Sequence, residues 1–166
     1  MKKLMFSCLL FLVILVLDQV TKYWAAITLA EGKGIEVIPG LFNFTLVYNR
    51  GAAFGMFSQL PDLPRRLILG VVSIIALFVV FRFMLQDAKK DKSSLIGLVM
   101  ILSGAVGNII DRFRFDSVVD FLDFYIGTYH WPAFNIADSS ICVGVAILLI
   151  KMLFFSQASK LSTCPN

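Results

Sequence analysis

Charge is scarce in this sequence. Only 16% of its 166 residues are Asp, Glu, Lys or Arg, against about a quarter in an ordinary soluble domain. Hydrophobic residues make up 58%, and mean hydropathy is +0.84. That balance excludes a soluble globular domain, because too little polar surface is available to cover one. Histidine is scarcer still. His130 stands alone, so there is no pool of imidazoles from which to build a nucleophile triad or a zinc centre. Of the three cysteines, Cys8 and Cys142 lie inside apolar segments and Cys164 sits in the C-terminal tail, which gives neither a disulfide framework nor a metal-ligand spacing. No metal and no cofactor is expected. Internal repeats and low-complexity segments are also absent. The net charge of +4 does not signify nucleic acid, since the bases flank apolar spans instead of clustering on a polar face, and no nucleic-acid partner is expected.

What the chain has is long apolar runs. Four of them, from about Leu4 to Ala26, Leu67 to Leu85, Leu95 to Phe113 and Ile136 to Phe155, approach or exceed the roughly 20 helical residues that cross about 30 Å of hydrocarbon. Lys2 and Lys3 ahead of Leu4 to Leu17, with Thr28-Leu29-Ala30 beyond, could open a cleavable secretory signal. The polar residues late in that run favour a retained helix. Pro61 and Pro64 suit the start of the second helix, and Gln86 to Ser94 forms a short charged connection.

Two stretches have a different texture. After the turn signal Pro39-Gly40, residues 42–48 approximate the period-two alternation of a half-exposed strand, which predicts a small β-element at about residues 34–58. Asp116 to Asn135 is aromatic and loop-like, broken by His130-Trp131-Pro132. The expected architecture is an all-α membrane fold over residues 1–166 as one integral membrane domain. It has four transmembrane helices with a small extracytoplasmic β-element and an outer loop or short helix. The positive-inside rule is strongest for Lys2, Lys3 and the hairpin Lys89, Lys90 and Lys92, which places both termini in the cytoplasm. With that orientation Tyr23, Trp24, Tyr48, Tyr125, Tyr129 and Trp131 all fall at the outer ends of the helices, where amphipathic rings favour the headgroup zone.

The intramembrane polar residues share that end. Asp18, Gln19 and Lys22 come late in the first span, Asn108, Asp111 and Arg112 late in the third, and Asn135 and Asp138 open the fourth. Ionisable groups at membrane depth are costly and mark function by default. Each also has a plainer role. Asp18 and Lys22 are spaced to pair on one helix face, Arg112 could snorkel to headgroups, and Asp138 could serve only the dipole of a helix capped by Asn135. Asp120 tips the balance, because Val118-Val119-Asp120-Phe121-Leu122 is an apolar context in which a solvated charge gains nothing. Held near each other, Asp120 and Asp138 would share one proton and form an acid and a base able to activate water against an amide.

At these residues the sequence resembles the lipoprotein signal peptidases, the type II signal peptidase family. The blocks that carry the resemblance are Asp18-Gln19-Val20-Thr21-Lys22, Asn49-Arg50-Gly51-Ala52-Ala53-Phe54-Gly55, Gly104 through Arg112, Val118-Val119-Asp120-Phe121 and Phe134 through Ser139, five in order along the chain. The resemblance implies an aspartic endopeptidase of the bacterial inner membrane that cleaves prolipoproteins before their diacylglyceryl-modified cysteine at the outer face. Asp120 and Asp138 match its catalytic pair, and Asn49, Asn108, Arg112 and Asn135 match positions that hold substrate. Asp18, Lys22 and Asp111 match supporting positions. It further implies inhibition by globomycin-type cyclic peptides and no metal requirement. Gly51, Ala52, Ala53 and Gly55 would leave backbone accessible to an extended peptide, or alternatively permit a close helix or strand contact. Membrane lipids surround the site, and substrate would enter sideways from them.

Two other classes stay open on the residues alone. A small transporter or channel also buries Asp, Asn and Arg, but here the opposite halves of the helices are apolar apart from Arg82 and Lys151. A noncatalytic subunit that holds lipidated peptides would use the same cleft.

Overall fold

The computed structural model describes residues 2–52, 56–87 and 92–155. Ala53, Phe54 and Gly55, the hairpin lysines Lys89 and Lys90, and Lys160 and Cys164 lie outside the described residues. Four helices, α1 (Lys2–Thr28), α2 (Asp62–Asp87), α3 (Lys92–Phe115) and α4 (Ile136–Phe155), are each long and apolar enough to cross a membrane. Their lipid-facing side chains are exposed Leu, Val, Ile and Phe, the outward surface of a bundle whose solvent is hydrocarbon. The chain is a multi-pass membrane protein.

Between the helices lies an antiparallel sheet in the order β1-β2-β3-β4, built from β1 (Ile35–Ile38), β2 (Phe42–Asn49), β3 (Val118–Ile126) and β4 (Tyr129–His130). Pro39 and Gly40 make the tight turn from β1 to β2. Gly40 takes φ 75°, and the Leu41 N–H donates to Ile38 O at 3.0 Å, as a turn with Pro second and Gly third requires. Ala25 and Leu29 at the end of α1 pack with Leu46, Val119 and Phe121 of the sheet in a small core, edged by the Trp24–Phe44 ring pair. This core seats the sheet on one end of the bundle.

The stretch from Asp116 to Asn135, expected to be loop-like, instead contains the nine-residue strand β3 and its short partner β4. The alternation that announces a half-buried strand is missing for a physical reason. Val118, Val119, Asp120 and Phe121 are all buried, so no period-two signal survives. Phe134 closes the free edge, its carbonyl accepting the N–H groups of Phe121 and Leu122. Asp123 is buried on the same strand and contacts His130 at 2.9 Å.

Helices α3 and α4 meet along a seam of small residues. Gly97 faces Gly144, and Gly104 faces Ala137, seven residues apart on each helix. A Cβ built at Gly144 would stand 2.5 Å from the Gly97 carbonyl and 2.8 Å from Ile101, whereas one at Gly70 on α2 would meet nothing. We therefore expect Gly144→Ala to cost about 1–3 kcal/mol through overpacking. Gly70→Ala should leave stability unchanged or slightly raised. Thermal unfolding of both variants in detergent checks the contrast.

Candidate active site

The polar residues of α1, α3 and α4 converge where the helices meet the sheet. Lys22 is the centre: its Nζ lies 3.0 Å from Asp18 Oδ2 and 2.9 Å from Asp111 Oδ2, with all three side chains buried. The helix pair Asp18–Lys22 is thus one edge of a triad that spans two helices. Asp18 also accepts the Ala137 N–H at 2.9 Å, so a carboxylate of α1 meets the positive start of α4. Asp111 accepts the Val119 N–H at 3.1 Å and so fastens α3 to β3. Gln19 stitches the two acids together, its Nε2 donating to Asp18 Oδ2 and Asp111 Oδ1, each at 3.1 Å. Gly107 makes room for this cluster, because a Cβ there would sit 2.5 Å from Asp18 Oδ2.

A layer of amides lies above the ions. Lys22 Nζ donates to Asn108 Oδ1 at 2.8 Å, which commits the Asn108 amide nitrogen to Asp138 Oδ1 at 2.8 Å. Asn135 caps α4 with its Oδ1 accepting the Asp138 N–H at 2.9 Å, while its Nδ2 donates to Asp120 Oδ1 at 2.7 Å. Asn49 at the end of β2 donates to the other oxygen, Asp120 Oδ2, at 3.0 Å. Register makes this last contact possible. From Phe44↔Leu122 to Val47↔Asp120, β2 carries one more residue than β3; without that bulge Asn49 would point to the opposite side of the sheet.

Asp120 and Asp138 are therefore joined through Asn135, directly at the Asp138 N–H and also by way of Asn108, whose Oδ1 accepts from Asn135 Nδ2 at 3.3 Å. Asp120 is 2% exposed, and it opens on a cleft of about 370 Å³ lined by Val47, Tyr48, Asn49, Ser58 and Pro132. Burial, reinforced by the charge of Asp138, pushes the Asp120 carboxyl up to about 7, against the opposing pull of the Asn49 and Asn135 amides and of Lys22. Arg112 turns away from Asp111, its neighbour in sequence, and donates to the Gly51 carbonyl at 3.1 Å. Gly51 is buried with its N–H on Asn49 Oδ1 at 3.0 Å. Its N–H and its carbonyl are thus both engaged within the protein. Gln19 was placed with the other polar residues at this end but given no role, and Ser58 and Arg65 were not singled out as site residues on sequence grounds. The buried Arg65 pairs with Asp62 at 2.6 Å and Asp116 at 3.4 Å, and its position after Pro64 on an apolar helix was the available signal.

The profile described as Signal peptidase (SPase) II matches residues 10–154. The chain belongs to the signal peptidase II family. It is 45% identical over 148 residues to the lipoprotein signal peptidase of Desulforapulum autotrophicum, spanning 89% of this chain and 91% of that protein. It is 47% identical over 146 residues to that of a Sulfurihydrogenibium species, 87% of this chain and 89% of that one. A bacterial membrane enzyme solved in meso at 2.3 Å superposes with a TM-score of 0.80 at 37% identity, covering 89% of this chain and 87% of the other. Signal peptidase II enzymes remove signal peptides from prolipoproteins, so the chain is a protease of lipoprotein precursors in the membrane.

Removing the central cation tests the cluster. Lys22→Met leaves Asp18 and Asp111 buried together without a counter-charge, and we expect a loss of about 3–5 kcal/mol, as for a broken buried pair. Thermal unfolding in detergent should show a large drop in Tm, with Lys22→Arg recovering part of it.

Proposed function

We propose that this signal peptidase II is an aspartic endopeptidase in which Asp120 and Asp138 are the catalytic pair. It cuts the bond before the diacylglyceryl-modified cysteine of a prolipoprotein, at the outer face of a bacterial inner membrane. The observation that carries this reading is Asp120 itself, a carboxyl buried beside an open cleft, raised to about 7 and linked through Asn135 and Asn108 to Asp138. Two carboxyls at one site, Asp120 buried and Asp138 partly exposed, differ in environment as amide hydrolysis by activated water needs.

The steps follow from that difference. Asp120 holds the shared proton and hydrogen-bonds the scissile carbonyl oxygen, while ionised Asp138 takes a proton from the attacking water. The water oxygen bonds to the carbonyl carbon. Transfer of a proton to the amide nitrogen then breaks the C–N bond, releasing the signal peptide as an acid and the lipidated cysteine as an amine. Asn108 and Asn135 fix the two carboxyls, and Asn49 and Arg112 hold the rim against which an extended peptide would lie, with Gly51 as the backbone contact between them. Asp18, Lys22 and Asp111 support this arrangement without touching substrate. The exposed apolar residues of the sheet, among them Ile35, Phe124 and Ile126, suit a surface resting on headgroups. The lipid anchor of the substrate would hold the cleavage site at that depth. Cyclic peptides of the globomycin type are expected to compete for the cleft.

The test is cleavage of a diacylglyceryl-modified prolipoprotein by the purified chain in detergent, beside its unmodified precursor. Only the modified substrate should be cut, and Asp120→Asn or Asp138→Asn should each abolish turnover; cleavage that survives both substitutions would remove the aspartic mechanism. Cleavage should fall as pH rises through about 7, because Asp120 then loses the proton it must donate. The Asn49 amide favours the ionised form, so its removal raises the affinity of Asp120 for that proton. Asn49→Ala is expected to lower the rate and to move the alkaline limb to higher pH. A limb left in place would detach it from Asp120.

A further inference from the structure

A second cleft, larger than the one beside Asp120, opens nearby. It lies between the first turns of α2 and the last turns of α3 and has a volume of about 590 Å³. Its rim carries Arg50, Arg65, Arg66, Arg112 and Arg114. Single basic residues at helix ends commonly snorkel to headgroups, but five converging on one cleft are a different matter. Asp62 and Asp116 answer only Arg65 and Arg66, at 2.6 Å and 2.7 Å for the shorter contacts. Among the described residues Arg50, Arg112 and Arg114 have no carboxylate at ion-pair distance; Arg112 stands in the field of Asp138, Asp120 and Asp111, so the surplus positive charge of the rim rests on Arg50 and Arg114.

Below the rim the lining changes character. Leu69, Gly70 and Ile74 of α2 face Ile109 of α3, and from Arg65 to Ile74 the helix descends about 13 Å. Gly70 widens the slot, since a side chain built there would meet nothing. The substantial packing of α2 is against α3 alone, so the cleft opens sideways to the bilayer. The site is therefore cationic at the membrane surface and apolar at depth.

We propose that this cleft binds an anionic glycerophospholipid of the surrounding bilayer, its phosphate on the arginine rim and an acyl chain in the slot between α2 and α3. Guanidinium groups match phosphate oxygens in geometry as well as charge. The diacylglyceryl group of a prolipoprotein offers the same chains but no anion, so it would leave the surplus charge unanswered. Arg112 belongs to both places, lining this cleft and holding the Gly51 carbonyl. An occupied rim would thus bear on the loop beside Asn49.

The test uses the full chain purified in detergent and stripped of lipid, with phosphatidylglycerol, phosphatidylcholine and diacylglycerol of matched chains as probes and native mass spectrometry as the readout. Its readout is independent of turnover, so it stands or falls apart from the aspartic mechanism. We expect phosphatidylglycerol to bind about tenfold or more tightly than phosphatidylcholine, the scale of one or two charge-assisted hydrogen bonds. The double variant Arg66→Gln/Arg114→Gln, both residues being exposed, should lose that preference while keeping its lipid-free Tm. Gly70→Leu should weaken both phospholipids by filling the slot, which keeps the test alive if the arginine variant fails to fold. Equal binding of phosphatidylglycerol and phosphatidylcholine would overturn the proposal, as would a preference unchanged in the variants. Diacylglycerol binding as well as phosphatidylglycerol would overturn it too and assign the cleft to uncharged lipids.

Discussion

A lysine buried between two carboxylates is the constraint on which the rest of this structure depends. Ion pairs out of water repay their desolvation only when geometry and additional hydrogen bonds are good, and here the lone pairs that Lys22 does not reach are taken by Gln19 and by the backbone N–H groups of Ala137 and Val119. Apart from the bond between Gln19 and Asp18 within α1, each of these contacts joins different elements. Asp18 brings α1 to the start of α4, Asp111 brings α3 to β3, and Lys22 closes the triangle. Helices that face lipid on their outer sides gain little from hydrophobic contact with one another, so directional polar contacts of this kind, together with the close glycine seam of α3 and α4, define how the bundle comes together at this end.

The amides above that cluster inherit its order. Because Lys22 claims Asn108 Oδ1, the Asn108 amide nitrogen has to face Asp138, and because Asn135 caps α4 with its oxygen, its nitrogen has to face Asp120. Each asparagine is held in one flip state by a partner that leaves no alternative. The Asp120 carboxyl is thereby held by Asn135 and the Asp138 carboxyl by Asn108, while the Asn135 oxygen takes the Asp138 backbone N–H. A helix-capping preference, among the most local features of a sequence, sets a relation between groups on a strand and a helix.

Much of this was legible in the residues. The four spans stand out through length and hydropathy, and alternation of helix direction was enough to bring Asp18, Lys22, Asn108, Asp111, Asn135 and Asp138 to one end. Asp120 was conspicuous as a charge in an apolar run. The strand that carries it was not, because β3 is buried without alternation and its pattern cannot be told from that of a hydrophobic loop. Burial of Asp123 was hidden for the same reason. Gly51 was expected either to leave its backbone accessible or to permit a close contact, and the bond from Arg112 to its carbonyl favours the second. The bulge in β2 left no sequence signal either, although it decides which way Asn49 points.

The glycine seam carries a mechanical consequence. Where Gly97 meets Gly144 and Gly104 meets Ala137, backbone touches backbone, with Ile101, Ile141 and Leu148 packed around the contacts. The spacing of Asn108 and Asp138, which ride on those two helices, is as stiff as the main chain. On the other side of α3, α2 rests on one neighbour and has a single seam to yield, the circumstance in which local opening costs least. Compliance in this molecule is thus divided along α3: rigid toward the carboxyls, and giving toward the lipid.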